Sequence, residues 1–313
     1  MTEFDVRTTA AEILSGVDLR GRRMIVTGGA SGIGVETVRA LAQAGAEVTV
    51  ATRNPADAKP LIDDVATRPG AGRVLAERLD LADLASVAAF VAGWDGPLDA
   101  LVANAGIMAL PTRHLTPAGW ELQLATNYLG HFALAYGLHD ALAAAGSARV
   151  VTVSSGAQLS WPMDFEDPHF DRRPYEGWAA YGQSKTADVL LAVGIARRWA
   201  ADGIVANSLA PGVIHTKLQR HIDRATMIEF GAMDEDGGLL VPDHYKTPEQ
   251  GASTTVLLAA SPTVAGVTGR YFEDNREAPV VPGGPGTEHG VAAHAMDPDA
   301  ADRLWELGLP MIR

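Results

Sequence analysis

Cysteine is absent from the 313-residue chain, and basic residues are in the minority. Without thiols there can be no disulfide, no cysteine-held iron–sulfur cluster, no thiolate zinc site and no cysteine nucleophile. The absence is compatible with a reducing compartment. Lys and Arg number 25 against 38 Asp and Glu, which gives a net charge of −13. This balance argues against a nucleic-acid partner and against docking on an anionic membrane.

Long apolar runs are also missing, since no stretch reaches the roughly 18–20 residues that a membrane helix needs. Residues 1–16 are mixed and acidic, without the basic-then-apolar order of a signal peptide. The nine histidines are scattered, with no H-E-x-x-H motif or close pair, so no metal site is predicted. These features predict a cytoplasmic protein.

The chain alternates short segments rich in Val, Ile and Leu with longer segments of helical composition. Strands are predicted at Met24–Thr27, Glu47–Ala51, Arg73–Leu79, Ala100–Ala103, Arg149–Val153, Ile204–Leu209 and near Gly269–Phe272. Helices are predicted at Ile33–Ala44, Ala56–Ala66, Leu84–Ala92, Gly119–Ala145 and Trp178–Ala201. Repeated strand–helix units require crossover connections. They predict one doubly wound α/β domain over residues 1–313, with a mostly parallel sheet of about seven strands and helices on both faces.

Three segments interrupt this alternation. Residues 156–177 are rich in Pro, Asp and aromatics, which indicates a loop insertion. Residues 212–247 form a long irregular segment, of the kind that often builds a lid or a substrate-binding loop. Residues 273–313 form a C-terminal extension, with a helix predicted at Asp299–Leu307.

A glycine-rich segment, TGGASGIG, follows the first strand and opens a helix. A backbone that turns this sharply can approach a pyrophosphate, which the helix N-terminus then binds. The spacing is G-x-x-x-G-x-G, and a simple tight turn is the alternative explanation. In its strand–helix context the segment predicts a Rossmann-type dinucleotide site that includes Thr27, Gly28, Ser31, Gly32, Ile33 and Gly34.

The end of the second strand reads ATRNP, with Arg53 where an acidic residue would bind an adenosine ribose 2′-hydroxyl. A guanidinium group binds phosphate oxygens in a forked geometry, and an acid would repel them. Arg53 therefore predicts NADP(H) in preference to NAD(H), although a solvated surface arginine is the alternative.

Seven motifs together resemble the short-chain dehydrogenase/reductase superfamily. They are TGGASGIG, LDLADL, VANAG, TNYLGHF, VTVSS, YGQSK and PGVIHT, in that order along almost the whole chain. Three features are most similar to one branch of the superfamily: the lead-in TTAAEILSGVDLRGRRMIVTG, the NYLGHF helix and the late segment from TGRYFEDN to LWELG. That branch holds retinol dehydrogenases, protochlorophyllide reductases and the WW-domain-containing oxidoreductase.

YGQSK separates Tyr181 from Lys185 by four residues, hence on one face of a helix. A phenol, with a pKa of about 10, is a poor acid–base group at neutral pH, and a nearby ammonium group lowers that pKa. The pair predicts general acid–base catalysis. By resemblance, Ser155 binds the substrate oxygen, with Ser154 as the alternative, and Asn127 holds a water beside the lysine.

The resemblance also assigns the other cofactor contacts. It implies that Lys185 binds the nicotinamide ribose and that Asp80 and its neighbour Leu81 lie at the adenine. It further implies contacts from Asn104, Ala105, Gly106, Pro211, Gly212, Ile214 and Thr216.

Aromatic and methionine side chains in the two irregular segments are candidates for an apolar substrate pocket. They are Trp161, Phe165, Tyr175, Trp178, Met227, Phe230 and Met233, and His215 joins them because it lies within the PGVIHT motif, beside the expected nicotinamide contacts. Packing of the insertion onto the core explains the same residues equally well.

The sequence thus predicts an NADP(H)-dependent oxidoreductase acting on a carbonyl or secondary alcohol of a lipophilic small molecule. The alternatives are a non-catalytic NADP(H)-sensing regulator, which would typically lack the Tyr or the Lys, and an interaction scaffold. By resemblance the protein forms a homodimer or homotetramer through the helices around Gly119–Ala145 and Trp178–Ala201. Internal packing explains their Ala-rich faces equally well.

Overall fold

The fold is built on a mainly parallel sheet in a computed structural model that describes residues 4–312. The strands are β1 (Arg23–Thr27), β2 (Glu47–Thr52), β3 (Val74–Arg78), β4 (Ala100–Ala103), β5 (Arg149–Val153), β6 (Val205–Ala210), β7 (Tyr271–Glu273) and β8 (Arg276–Glu277). Their order is β3-β2-β1-β4-β5-β6-β7-β8. β1 to β7 run parallel, and β8 returns antiparallel to β7. The predicted doubly wound sheet is confirmed, with a short eighth strand that was not predicted.

The helices flank this sheet, and a small parallel pair, β9 (Val280–Val281) with β10 (Val291–Ala292), lies in the tail. The helices are α1 (Ala10–Ile13), α2 (Ile33–Gln43), α3 (Lys59–Ala66), α4 (Leu84–Ala92), α5 (Leu122–Leu124), α6 (Gly130–Gly137), α7 (His139–Ala144), α8 (Gly177–Arg198), α9 (Arg224–Glu229), α10 (Pro248–Gly251), α11 (Ser253–Ala260) and α12 (Pro298–Ile312). A π-helical turn, Ala125–Leu129, connects α5 to α6.

Alternate residues of each central strand face two separate cores. On β1, Ile25 packs into the core formed with α4, α6, α8 and α12, whereas Val26 packs into the core formed with α1, α2, α3 and α11. On β4, Leu101 and Val102 divide in the same way. This two-residue period explains the continuous apolar strands, because both faces of the sheet are covered.

The strand order reverses between β1 and β4. The chain moves outward from β1 to β2 and β3, and then returns to the other side of β1 with β4. In such sheets a crevice opens at the carboxyl ends of the strands on either side of the reversal, and ligands bind there. The glycine-rich turn after β1 and the VANAG segment after β4 flank this point.

Two predicted helices are shorter than the sequence indicated. Residues 119–145 do not form one helix: Gly119 sits in a turn with φ of 88°, and the helix begins at Leu122. The buried Glu121 side chain caps that start by accepting hydrogen bonds from the backbone N–H groups of Gln123 and Leu124. The helical run stops at Gly137 and α7 begins separately. Likewise, Pro55–Ala58 is a 3₁₀ turn that precedes α3.

The C-terminal extension covers α6 and α8 of its own chain. Trp305 of α12 packs edge-on against Phe132 at 4.9 Å between ring centroids and contacts Gly194 of α8. The Tyr128 hydroxyl donates a 2.8 Å hydrogen bond to the backbone oxygen of Leu304. A homo-oligomer built from these helices would therefore have to use another part of their surface.

Within residues 4–312, none of the helices is both long and apolar enough to cross a membrane. The same residues include no group of three histidine, aspartate or glutamate side chains arranged to hold a metal ion.

Candidate active site and nucleotide cleft

A cleft of about 2050 Å³ runs along the carboxyl ends of the parallel strands. One end is lined by the glycine-rich turn and the ends of β2 and β3. The other end is covered by residues 212–247 and by the turns of the C-terminal extension. Its position coincides with the reversal of strand order, where the fold favours a ligand.

The glycine-rich turn has no room for a side chain at Gly28 or Gly34. Gly28 has φ of 66°, and a Cβ there would lie 3.0 Å from Ala105 Cα. A Cβ on Gly34 would lie 2.5 Å from the backbone oxygen of Gly28. α2 begins at Ile33, directly after Gly32, and no side chain caps it. The first N–H groups of α2 therefore remain available to an anion beside a bare backbone, which fits a pyrophosphate.

Thr27 ties the two turns of the cleft together. Its Oγ1 accepts hydrogen bonds of 2.9 Å from the backbone N–H groups of both Asn104 and Ala105. Asn104 Nδ2 donates in return to the backbone oxygen of Thr27 at 2.8 Å. Asn104 Oδ1 is buried and lacks a hydrogen-bond partner within residues 4–312. An orphaned acceptor in the cleft wall fits a ligand that supplies a hydroxyl or amino donor.

The predicted adenosine end carries the expected residues. Arg53 follows β2 and is exposed, and it lines the cleft together with Asp80 and Leu81. One Asp80 carboxylate oxygen accepts a 3.1 Å hydrogen bond from the backbone N–H of Ala82, which fixes the turn after β3. An arginine beside open space is suited to a phosphate group.

The PGVIHT segment approaches the glycine-rich turn from the other side. Pro211, Gly212, Ile214 and Thr216 all line the cleft. A Cβ on Gly32 would lie 3.4 Å from the Thr216 side chain, so the two motifs meet. Gly212 has φ of 90°, a conformation that favours glycine.

Tyr181, Lys185 and Ser155 line the same part of the cleft. Tyr181 is only 4% exposed, and Lys185 Nζ lies 5.7 Å from the centroid of its ring. Both residues are on α8, whose first turn is capped by the Glu176 side chain. Lys185 Nζ donates a 2.9 Å hydrogen bond to the backbone oxygen of Val153 at the end of β5. The predicted acid–base pair is thus brought together.

The two serines after β5 have different environments. The Ser154 hydroxyl is buried and donates to the backbone oxygen of Lys185 at 2.7 Å. Ser155 Oγ accepts a 3.2 Å hydrogen bond from the backbone N–H of Ala157, so its own hydrogen remains available. Ser155 is therefore the better donor to a ligand oxygen, and Ser154 anchors β5 to α8.

Asn127 lies behind the cleft wall, within the π-helical turn. Its Oδ1 accepts from the Ile107 backbone N–H at 2.9 Å, and its Nδ2 donates to the Ile107 oxygen and to Ser184 Oγ. Its backbone oxygen lies 2.7 Å from His131 Nδ1. The Asn127 side chain therefore holds the turn after β4 against α8.

Lys185 also has an anionic partner that no sequence motif indicated. Asp188, one turn further along α8, places Oδ2 2.8 Å from Lys185 Nζ. Burial alone would lower the pKa of Lys185, but the charges of Asp188 and Tyr181 outweigh it and the pKa is raised. Burial raises the pKa of Asp188 to about 7 against the opposing effect of the ammonium group. A charged residue at i+3 from the lysine was the only signal in the sequence.

The substrate-pocket candidates divide into two groups. Trp178, Met227 and Phe230 line the cleft, and the Trp178 ring lies 6.0 Å from that of Tyr181 and 5.5 Å from that of Phe230. Trp161 and His215 differ from the prediction. Trp161 packs against Gly182 of α8, outside the cleft, and His215 Nε2 bonds the backbone oxygen of Leu240 at 2.6 Å.

The other three candidates serve packing. Arg303 lies over the Phe165 ring, the Tyr175 hydroxyl bonds Gln123 Nε2 at 2.9 Å, and Met233 packs in a small cluster with Tyr245. The sequence had allowed this explanation for all of the aromatic residues.

Several residues of the cleft wall were not predicted. Met108, Leu218 and Ile222 pack with Tyr181, and Leu110, Tyr245 and Lys246 also line the cleft. Met108 and Leu110 directly follow VANAG, so their position at the carboxyl end of β4 was a usable signal. Glu273, Asp274, Glu288 and His289 reach the cleft from the C-terminal extension. Nothing in the local sequence indicates that this tail folds back.

Comparison with known proteins gives the family. Residues 22–226 match the short chain dehydrogenase family. A probable oxidoreductase of Streptomyces lividans is 70% identical, over 93% of this chain and 98% of that protein. Retinol dehydrogenase 13 of Mus musculus is 35% identical, over 91% of this chain and 82% of that protein.

Solved structures of other proteins superpose on this fold. An uncharacterized protein from Mycobacterium paratuberculosis superposes with a TM-score of 0.73 and 31% identity, covering 98% of this chain and 97% of that one. The NADP complex of Pseudomonas aeruginosa RhlG superposes with a TM-score of 0.61 and 26% identity, covering 82% and 96%. The chain belongs to the short-chain dehydrogenase/reductase family, whose members are oxidoreductases with a nicotinamide cofactor. Within it, the chain falls in the branch of the retinol dehydrogenases.

Proposed function

We propose that the protein is an NADP(H)-dependent oxidoreductase that interconverts a carbonyl and a secondary alcohol on a lipophilic small molecule. The observation that carries the proposal is the meeting of Tyr181, Lys185 and Ser155 in one cleft beside the glycine-rich turn. The chemistry needs a proton donor, a cation near it and a second hydroxyl at the reacting oxygen. These three side chains supply them.

Each residue has a separate task. The Tyr181 hydroxyl gives a proton to the carbonyl oxygen in reduction, or takes it from the alcohol in oxidation. The ammonium group of Lys185 stabilises the phenolate form of Tyr181. Ser155 donates a hydrogen bond to the same substrate oxygen and orients it. When bound, the nicotinamide supplies or accepts the hydride.

Arg53 supports NADP(H) as the preferred cofactor. No Asp or Glu occupies the end of β2, where Arg53 stands, and the Arg53 side chain is exposed in the cleft. A guanidinium group there favours a 2′-phosphate. The NADP complex of the RhlG protein shows that a related fold accommodates this cofactor.

The wall near Tyr181 supports a lipophilic substrate. Met108, Leu218, Ile222, Met227 and Phe230 present apolar side chains to the cleft, a lining that favours apolar ligands. Phe230 is 50% exposed, so an apolar ring stands at the mouth. The relative named for retinol carries the name of a lipophilic alcohol. Residues 212–247 would then be the substrate-binding loop.

A substrate panel tests the proposal. Aliphatic, aromatic, terpenoid and steroidal carbonyls, with small polar sugars as the contrast, are incubated with NADPH and followed by its absorbance. We expect turnover of apolar carbonyls and its reduction in Phe230→Asp, with Val280→Asp, an exposed apolar residue outside the cleft, as the matched control. Turnover confined to sugars would contradict the proposed substrate class.

A further inference from the structure

We propose that Asp188 is a positioning residue for the acid–base pair: it holds the ammonium group of Lys185 and offsets part of the positive charge near Tyr181. This inference rests on the proposed function, because it assigns a task within the Tyr181–Lys185 pair. Asp188 belongs to none of the motifs of the sequence. It lies one helical turn beyond Lys185 on α8, in the protein interior behind the cleft wall.

Two acceptors hold the ammonium group of Lys185 on the side away from the cleft. The two side chains are 5% and 4% exposed, and Asp188 Oδ2 lies 2.8 Å from Lys185 Nζ. The backbone oxygen of Val153 accepts a second hydrogen bond at 2.9 Å. An ammonium group has three N–H donors. Two of them therefore go to protein acceptors, and one is left for a ligand in the cleft.

Because the ammonium group of Lys185 is buried, it needs an anionic partner to stay charged. An ammonium group with so little exposure would lose its proton readily without a nearby anion. Asp188 supplies that anion, and Lys185 stays charged at the pH values at which Tyr181 has to work. The same carboxylate weakens the positive field at the phenol, because its charge is opposite and lies within one turn of the helix.

Two titratable groups on neighbouring elements interact with the Tyr181–Lys185 pair, but neither carries a negative charge that could balance the ammonium group of Lys185. His131 of α6 senses the charge of Lys185, but burial lowers its pKa to about 4, so it is neutral near pH 7. Tyr271 of β7 senses Tyr181, and burial raises its pKa well above its usual range. Neither group offsets the ammonium charge at neutral pH.

Removal of the carboxylate should ease proton loss from the Tyr181–Lys185 pair, which titrates as one unit. Asp188→Asn keeps the size of the side chain and an oxygen acceptor but removes the charge. We expect the pH of half-maximal alcohol oxidation to fall by about one unit. The alkaline limit of carbonyl reduction should fall in the same direction. An unchanged profile, or one shifted to higher pH, would overturn the inference.

A control variant shows whether a shifted pH profile is caused by loss of the Asp188 charge or by loss of any buried carboxylate. Asp167 is also a buried carboxylate, but it accepts backbone hydrogen bonds from Arg172 and Arg173 in the insertion, outside the cleft. We expect Asp167→Asn to lower stability and leave the pH profile unchanged. If Tyr181→Phe stays fully active, the proposed function fails. If Tyr181→Phe is inactive while Asp188→Asn keeps the original profile, only the role of Asp188 fails.

A stability cycle tests the ion pair even if Asp188→Asn is poorly folded. Lys185→Met leaves a buried carboxylate without its cation, which is strongly destabilising at pH 8. Adding Asp188→Asn removes the unpaired charge. The double variant should therefore have a higher Tm than Lys185→Met alone, and a double variant with an equal or lower Tm would overturn the proposed pairing.

Discussion

The imidazole of His131 links the backbone oxygen of Asn127 to Thr27. Its Nδ1 lies 2.7 Å from the Asn127 oxygen, and its Nε2 lies 2.8 Å from Thr27 Oγ1. A carbonyl oxygen can only accept, so Nδ1 carries the hydrogen and the Thr27 hydroxyl donates to Nε2. A neutral histidine thus joins the π-helical turn to the strand that begins the glycine-rich loop.

Acid should weaken this link and the fold with it. Burial lowers the pKa of His131 from 6.5 to about 4. As pH falls, His131 is protonated near pH 6.5 in the unfolded chain but only near pH 4 in the folded protein. The contribution of neutral His131 to the free energy of unfolding is therefore fully present above pH 6.5 and is lost as pH falls toward 4. From pH 7.5 to pH 5 the loss from this residue is about 2 kcal/mol.

Urea unfolding at the two pH values measures this effect. Other groups titrate in wild type and variant alike, so the comparison with His131→Gln isolates the histidine. The wild type should lose about 2 kcal/mol more than the variant. An equal loss in both proteins would show that His131 does not titrate as a buried neutral group.

Arg53→Asp should reverse the cofactor preference. The variant loses a charge-assisted hydrogen bond to a 2′-phosphate, worth about 1.5–3 kcal/mol, and gains an anion that repels it. We expect kcat/KM with NADPH to fall by about 10- to 100-fold, and kcat/KM with NADH to hold or rise. Steady-state rates with both cofactors measure it. A preference for NADH in the wild type would contradict the assignment.

Gly34→Ala should abolish tight cofactor binding. The added Cβ would meet the Gly28 oxygen at 2.5 Å and Asn104 Nδ2 at 2.8 Å, so the turn has to open. We expect the Kd for NADPH to rise by more than about tenfold, measured by fluorescence titration. Gly93→Ala is the control, because its Cβ would meet its nearest atom at 3.5 Å, away from the cleft. Similar affinities in both variants would argue against the pyrophosphate site.

Trp305→Ala tests how far the C-terminal extension stabilises the fold. Trp305 is buried between α6 and α8, against Phe132 and Trp199. Loss of the indole should cost about 3–5 kcal/mol of unfolding free energy. Denaturant unfolding measures it, with Leu239→Ala, an exposed residue, as the control. A cost below about 1 kcal/mol would mean that α12 is dispensable for stability.

The sequence predicts the parts of this structure that depend on local pattern. The short apolar segments that alternate with helical segments predict the parallel sheet, and TGGASGIG and YGQSK locate the glycine-rich turn and the Tyr181–Lys185 pair. Each of these signals lies within one strand, turn or helix, where a few neighbouring residues determine the geometry.

The sequence does not predict contacts that depend on tertiary packing. Trp161 packs against α8 at Gly182, where the lack of a side chain leaves room for the indole, and this contact joins the insertion to a later helix. The helix predicted at residues 119–145 begins only after the Glu121 cap and is interrupted at Leu138, between α6 and α7. Likewise, residues 273–289 reach the cleft and α12 docks on α8 through contacts between segments that are far apart in sequence.

Tyr181→Phe tests the central claim most directly. The substitution removes one hydroxyl and leaves the ring, so the cleft and the fold should be preserved. We expect NADPH to bind with nearly unchanged affinity in a fluorescence titration, while turnover of the best carbonyl substrate falls at least about 100-fold, as expected for loss of a general acid. Turnover equal to that of the wild type would contradict the account.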